Sequence, residues 1–147
     1  MTNVFADVTS QAICAFHDRH AADRGWARAS ASDDDDVWGW IAANHRCNIL
    51  LWDEEDQARR TDVGTDAIAA NKRAIDRFNQ RRNDAIEKVD EALLARIASV
   101  PIAPDAWHSS ETAGAMIDRL SILSLKRFHM GAQTLRSGPR YFAGWHR

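Results

Sequence analysis

The sequence predicts an all-α fold: a single-domain helical bundle of about four main helices, one of them long, with an irregular C-terminal tail. Three observations predict it. Apolar residues recur at helical spacing through most of the chain, with no alternating run and no Val/Ile/Thr-rich block between turns. The stretch from Thr65 to Val100 contains neither proline nor glycine. Of 147 residues, 45% are hydrophobic and 27% charged, which suits one domain with a real core, whereas two domains would leave each half too small. The bundle is expected to fill residues 1–134, and the basic, aromatic tail, 135–147, to pack on it or on a dimer partner.

A first helix is expected from about Asp7 to Arg24, with Ala12, Ile13 and Phe16 at helical spacing behind the capping Thr9. "GWARASAS" should break it. The next helix should begin in "SDDDDVW", capped by Ser32 or Asp33, because aspartates favour the positive end of the helix dipole. That role accounts for the acid run better than metal binding does. This helix should reach Arg60 and end at "TDVG". The long helix follows, from about Thr65 to Ala98. "VPIAPDAWHSS" then connects to a last helix that starts at Ser110 and Glu111 and ends near Gly131 or a turn later.

The formal net charge of -2 argues against a globally basic nucleic-acid binder. The aliphatic runs are far shorter than the roughly 20 residues of a membrane span. The opening "MTNVFADVTS" has no basic segment followed by an apolar core, so a cytoplasmic protein is expected, with no membrane partner. Cys14 and Cys47 are expected to be reduced thiols. The tail carries Tyr141, Phe142 and Trp145 among arginines, which could stack on single-stranded nucleic acid, but burial against the bundle or a second copy fits its aromatics better. A homodimer is expected.

At about 100° per residue, each helix shows two stripes. On the second, Trp40, Ala43, Cys47, Leu50, Leu51 and Ala58 form an apolar core face, and His45, Asn48, Trp52, Glu55, Asp56 and Arg59 form a second stripe. An ordinary solvent face favours Lys, Glu and Ala, so this stripe reads as partly buried or lined for a ligand. The plainer account is local pairing of Glu55 and Asp56 with Arg59 or Arg60, worth a few tenths of a kcal/mol. The long helix repeats the pattern. Ile68, Ile75, Phe78, Ile86, Val89, Leu93 and Ile97 make its apolar stripe, flanked by Lys72, Asp76, Asn79, Gln80, Asn83, Glu87 and Asp90, while Arg77, Arg81, Ala85 and Lys88 face outward. Its amides make directional bonds where water is scarce, so a buried network that fixes helix register is the competing account. On the last helix Asp118, Ser121, Leu125 and His129 share a face. His17 and His20 have ligand spacing but no third ligand, and a surface or dimer-contact pair is expected.

"NILLWDEEDQARR", "ANKRAIDRFNQRRNDAIEKVDEAL" and "ETAGAMIDRLSILSLKRFHM" together resemble the bacterial domain-of-unknown-function family four-two-five-four, over about Val37 to Met130. Positions matching its pattern include Asn48, Trp52, Glu55, Asp56 and Arg59 in the first motif. Lys72, Asp76, Asn79, Arg82, Asn83, Glu87 and Asp90 match in the second, and Asp118, Arg119 and His129 in the third. The resemblance implies a fold and a set of positions without a chemistry. It also carries an association with genes for glycosyltransferases and cell-envelope glycans.

The stripes are expected to converge on a cleft for a small polar ligand: a sugar, sugar nucleotide or phosphorylated metabolite. Glu55, Asp56, Glu87, Asp90 and Asp118 are the candidate catalytic carboxylates. His45, Asn48, Trp52, Arg59, Lys72, Asp76, Asn79, Asn83 and His129 are the candidate ligand contacts, Trp52 as a stacking face and Arg59 or Lys72 for an anion. One alternative is a metal-dependent nucleotide pyrophosphohydrolase, in which Asp53 with Asp56 and Glu87 with Asp90, each one turn apart, hold Mg²⁺. The first pair lacks the expected glutamate one turn on. A divalent metal is thus compatible with the sequence, but no motif assigns one. The other alternative is a non-catalytic accessory protein of glycan assembly, whose polar stripes are structural.

Overall fold

The computed structural model describes residues 3–29 and 35–137. Among them are five α-helices and no strand: α1 (Ser10–His20), α2 (Arg24–Arg28), α3 (Val37–Ala58), α4 (Thr65–Arg96) and α5 (Ala113–Ser137). The all-α class, the four main helices and the long α4 agree with the sequence. No helix in the described residues is long and apolar enough to cross a membrane.

Side-chain caps set most of the boundaries. Thr9 accepts the Ala12 N–H at 3.1 Å and starts α1. The helix stops at His20 rather than running to Arg24, and the chain re-enters a helical turn where a break was expected. There Asp23 accepts the Trp26 N–H at 2.8 Å, and the Trp26 ring stacks on His20 at 4.1 Å, so capping and packing outweigh Gly25. For α3 the cap is the last aspartate of the run, Asp36, whose carboxylate accepts the Gly39 N–H at 2.7 Å. Ser32 and Asp33 fall outside the described residues. Thr112 accepts the Ala115 N–H at 3.2 Å and begins α5 later than Ser110 or Glu111 would. The helix continues through Gly131 to Ser137, because one interior glycine costs about 1 kcal/mol without forcing a stop. The expected packing of the aromatic tail from Gly138 onward lies outside the described residues.

Helices α3 and α4, joined by a short link, form the most extensive contact of the fold, and α2 and α5 also pack on α3. One apolar cluster joins Ile13, Val37, Ile41, Val89 and Ile117, and a second joins Ala21, Ala27, Ile49 and Leu125. With neighbours on three sides, α3 is enclosed almost all round. Its deepest residues are Val37, Ile41, Asn44 and His45, whereas Trp40, Ala43, Leu50 and Ala58 of the expected core face are only half-buried. Ala85, expected to face outward, is also buried.

Candidate functional site

The second stripe of α3 opens onto a groove of about 320 Å³, bounded by α4 and α5. Asn48, Trp52, Glu55 and Asp56 line it from α3 and Arg59 from its C-cap, Asn79 and Arg82 from α4, and Ile122 and Leu125 from α5. His129 stacks on Trp52 with ring centroids 4.3 Å apart and planes 2° from parallel, leaving one indole face covered by protein. Burial holds the His129 imidazole below its ordinary pKa, against the opposing pull of the Asp56 carboxylate. Asp56 accepts from Arg59 at 3.1 Å. Glu55 is exposed, and neither it nor Arg82 forms a side-chain hydrogen bond or ion pair among the described residues. The Arg82 Nε is shielded from water without a partner. A half-buried guanidinium in that state is a strong latent donor for an anion.

Behind the groove lies a closed polar network. Asp118 Oδ1 accepts from Asn44 at 2.8 Å and from Asn48 at 2.9 Å. The Asn48 amide also donates to Ser121 Oγ at 3.0 Å. Ser121 in turn lies 2.7 Å from His45 Nδ1, and His45 Nε2 lies 3.0 Å from the His17 carbonyl. A carbonyl only accepts, so Nε2 carries the proton and Nδ1 accepts from the Ser121 hydroxyl. His45 is fully enclosed and neutral; burial, reinforced by the neighbouring His17, pushes its pKa down to about 3. His45 thus sits inside the bundle, while Asn48 touches both network and groove.

Other residues singled out in the sequence lie elsewhere. Lys72, Asp76, Asn83 and Glu87 are exposed on α4 and are not among the groove-lining side chains. Asp90 accepts the Gly114 N–H at 2.7 Å where α5 begins. Asp53 is buried and holds Arg24 Nε at 2.7 and 2.9 Å and Arg28 at 3.2 Å, tying α2 to α3. Glu54 accepts from Asn71 at 2.7 Å, which ties α3 to α4. Among the described residues, no three His, Cys, Asp or Glu side chains gather as a metal site. Cys14 and Cys47 are free thiols, and burial pushes the Cys47 pKa up to about 11, so it is a poor nucleophile.

His17 departs from the expected surface position. Its ring is wholly enclosed, 4.6 Å from that of His45, and neither of its nitrogens has a partner among the described residues. Burial pushes its pKa down to about 4. The reason is aromatic packing: Phe16 contacts His17, His20, Trp26, Trp38 and His45, which draws the inner face of α1 into the core.

Two participants were not singled out as site residues from the sequence. Arg82 follows Asn79 by three positions, and Asn44 precedes Asn48 by four; each spacing keeps the pair on one helix face and could have identified them. Comparison with curated proteins and with solved structures finds no match. The model of the family described as protein of unknown function, DUF4254, matches residues 38–140, which span α3, α4 and α5 and hence every groove-lining residue, and the chain belongs to that family.

Proposed function

We propose that the groove binds a small anionic, hydroxyl-rich metabolite, a sugar phosphate or sugar nucleotide, in the metabolism of cell-envelope glycans. One observation carries the reading. A carboxylate, Glu55, and a half-buried guanidinium, Arg82, both unpaired among the described residues, share a groove with Trp52. In this reading Arg82 and Arg59 meet the phosphate, Asn48 and Asn79 bond hydroxyls, and the edge or free face of Trp52 packs on the sugar ring. Glu55 takes or gives a proton in this reading, with Asp56 paired to Arg59 at 3.1 Å. Calorimetric titration of the full chain with glucose 1-phosphate and UDP-glucose, with and without Mg²⁺, tests this. Binding is expected to weaken about tenfold or more in Arg82→Met, the loss typical of a charged hydrogen bond, with melting temperature retained. Absence of binding to both probes, or equal binding by the variant, overturns it. Binding that requires Mg²⁺ would favour the polyphosphate-hydrolysing alternative.

A second reading has its own observation. The Asn44–His45–Asn48–Asp118–Ser121 network is satisfied within the protein, as expected of polar groups that fix how α3 and α5 dock. If that network is the whole purpose of the polar stripes, the chain is a non-catalytic accessory protein. Loss of folding on substitution at Glu55 or Arg82 would favour this reading.

A further inference from the structure

The Asn48 side-chain amide is held in one orientation from two sides. On the first, the Asp118 carboxylate only accepts, so the Asn48 atom 2.9 Å from its Oδ1 is the NH2 group. On the second, a chain of bonds runs into the bundle with every donor facing the same way. Asn48 donates to Ser121 Oγ at 3.0 Å, Ser121 to His45 Nδ1 at 2.7 Å, and His45 Nε2 to the His17 carbonyl at 3.0 Å. That carbonyl can only accept, which fixes the direction of each bond before it. Both Nδ2 protons of Asn48 are therefore committed to the interior, where Asn44 Oδ1 adds a longer contact at 3.4 Å. Asn48 is buried, at 4% exposure, and still lines the groove. The polar atom it has left to offer there is Oδ1, which has no partner among the described residues and, unlike the Arg82 Nε, is not shut off from water.

We propose that Asn48 is the specificity-determining residue of this groove: an acceptor locked by the buried network, which requires a sugar hydroxyl that donates to it. The inference deepens the sugar phosphate reading and rests on it. An unrestrained asparagine can turn its amide over and bond either a donor or an acceptor. Here that turn would set Oδ1 against the Asp118 oxygen and leave Ser121 Oγ without the donor it accepts from, so it is closed by the cost of stranding buried polar groups. A phosphate oxygen brought to Asn48 Oδ1 would meet a second acceptor. The phosphate is thus directed to the guanidinium groups of Arg82 and Arg59, and a hydroxyl to Asn48. A site built to bond a hydroxyl rejects the analogue lacking it strongly, because its own polar group is then left unpaired. In this way Asp118, Ser121 and His45, which do not line the groove, act on recognition as positioning residues through the polarity they give one atom.

Fluorine in place of a hydroxyl separates the two roles of the oxygen, since it accepts weakly and never donates. The full chain is titrated with whichever of glucose 1-phosphate and UDP-glucose binds, and with analogues of it deoxygenated or fluorinated at each free glucose hydroxyl in turn. At one hydroxyl, the one read by Asn48, the deoxy and fluoro analogues are expected to bind equally poorly, about tenfold or more below the parent. Asn48→Ala is expected to remove the discrimination at that hydroxyl alone. In the ligand-free wild-type chain, nuclear magnetic resonance should show both Asn48 Nδ2 protons protected from exchange with water, a readout that needs neither ligand nor variant. Wild-type binding that tolerates fluorine at every hydroxyl, discrimination that persists in Asn48→Ala, or freely exchanging Asn48 amide protons overturns this proposal and leaves the sugar phosphate reading standing. Absence of binding by both parent compounds overturns that reading, and this proposal with it.

Discussion

The Asn48 amide on α3 reaches Asp118 Oδ1 on α5 at 2.9 Å, and this bond joins the groove between α3, α4 and α5 to the interior of the bundle. Asp118 also holds Asn44 at 2.8 Å, so one carboxylate oxygen satisfies two amides. Replacing it with Ala strands the Asn44 amide and leaves Asn48 with one acceptor fewer, beside Ser121, and a stranded buried group costs about 1–3 kcal/mol. Asp118→Ala is expected to lower unfolding free energy by about 2–4 kcal/mol in urea titration. Asn48→Ala combined with it should cost less than the sum of the two single changes, since the partners act together.

Stability should fall on acidification through His17 and His45. Both are enclosed in the folded chain, with pKa values pushed from 6.5 to about 4 and about 3. Between pH 6.5 and about 4 the unfolded chain binds these protons and the folded chain does not, so unfolding free energy rises with pH across that window. Each histidine contributes a slope of about 1.4 kcal/mol per pH unit while it stays neutral in the fold. The stabilisation is complete above pH 6.5 and is lost as pH falls toward 4. Urea titrations from pH 7.5 to 5 should show this slope, reduced by about one proton in His17→Phe.

At Gly114 α5 approaches α4 closely. A Cβ there would lie 2.5 Å from the Ile86 carbonyl oxygen, a backbone atom, and 3.1 Å from the Asp90 carboxylate. Gly114→Ala must therefore push the helices apart and lengthen the Gly114–Asp90 bond. Overpacking of this kind costs about 1–3 kcal/mol. Thermal melting should show a midpoint several degrees lower, at about 2–4 °C per kcal/mol for a chain of this size.

Helical spacing made the class, the long α4 and most of the α3 boundaries legible in the sequence. Its limit appears at α3. A single helix wheel separates an apolar face from a polar one, but it does not show how many neighbours will cover the helix. With α2, α4 and α5 around it, the stripe of His45 and Asn48 went inside and Trp40 stayed half-exposed. The same gap hid His17, since nothing in an isolated HxxH spacing reveals that Phe16 and Trp26 will enclose it. For the site, proximity in the chain was the readable part: Trp52, Glu55, Asp56 and Arg59 share one helix face and one groove. Arg82 shares a face of α4 with Asn79, so the spacing carried a signal for it, but which turn of α4 meets the α3 stripe is a property of the helix pair.

The central claim is that the Trp52–Glu55–Arg82 groove holds a small anionic ligand, and its most direct test is nuclear magnetic resonance of the full chain titrated with glucose 1-phosphate and UDP-glucose. Saturable shifts are expected at the Trp52 indole N–H, the His129 ring and the Asn79 side-chain amide. They should vanish in Arg82→Met and persist in Arg77→Met, which alters an exposed arginine outside the groove. Unchanged spectra with both probes, or shifts confined to residues that do not line the groove, would contradict the claim.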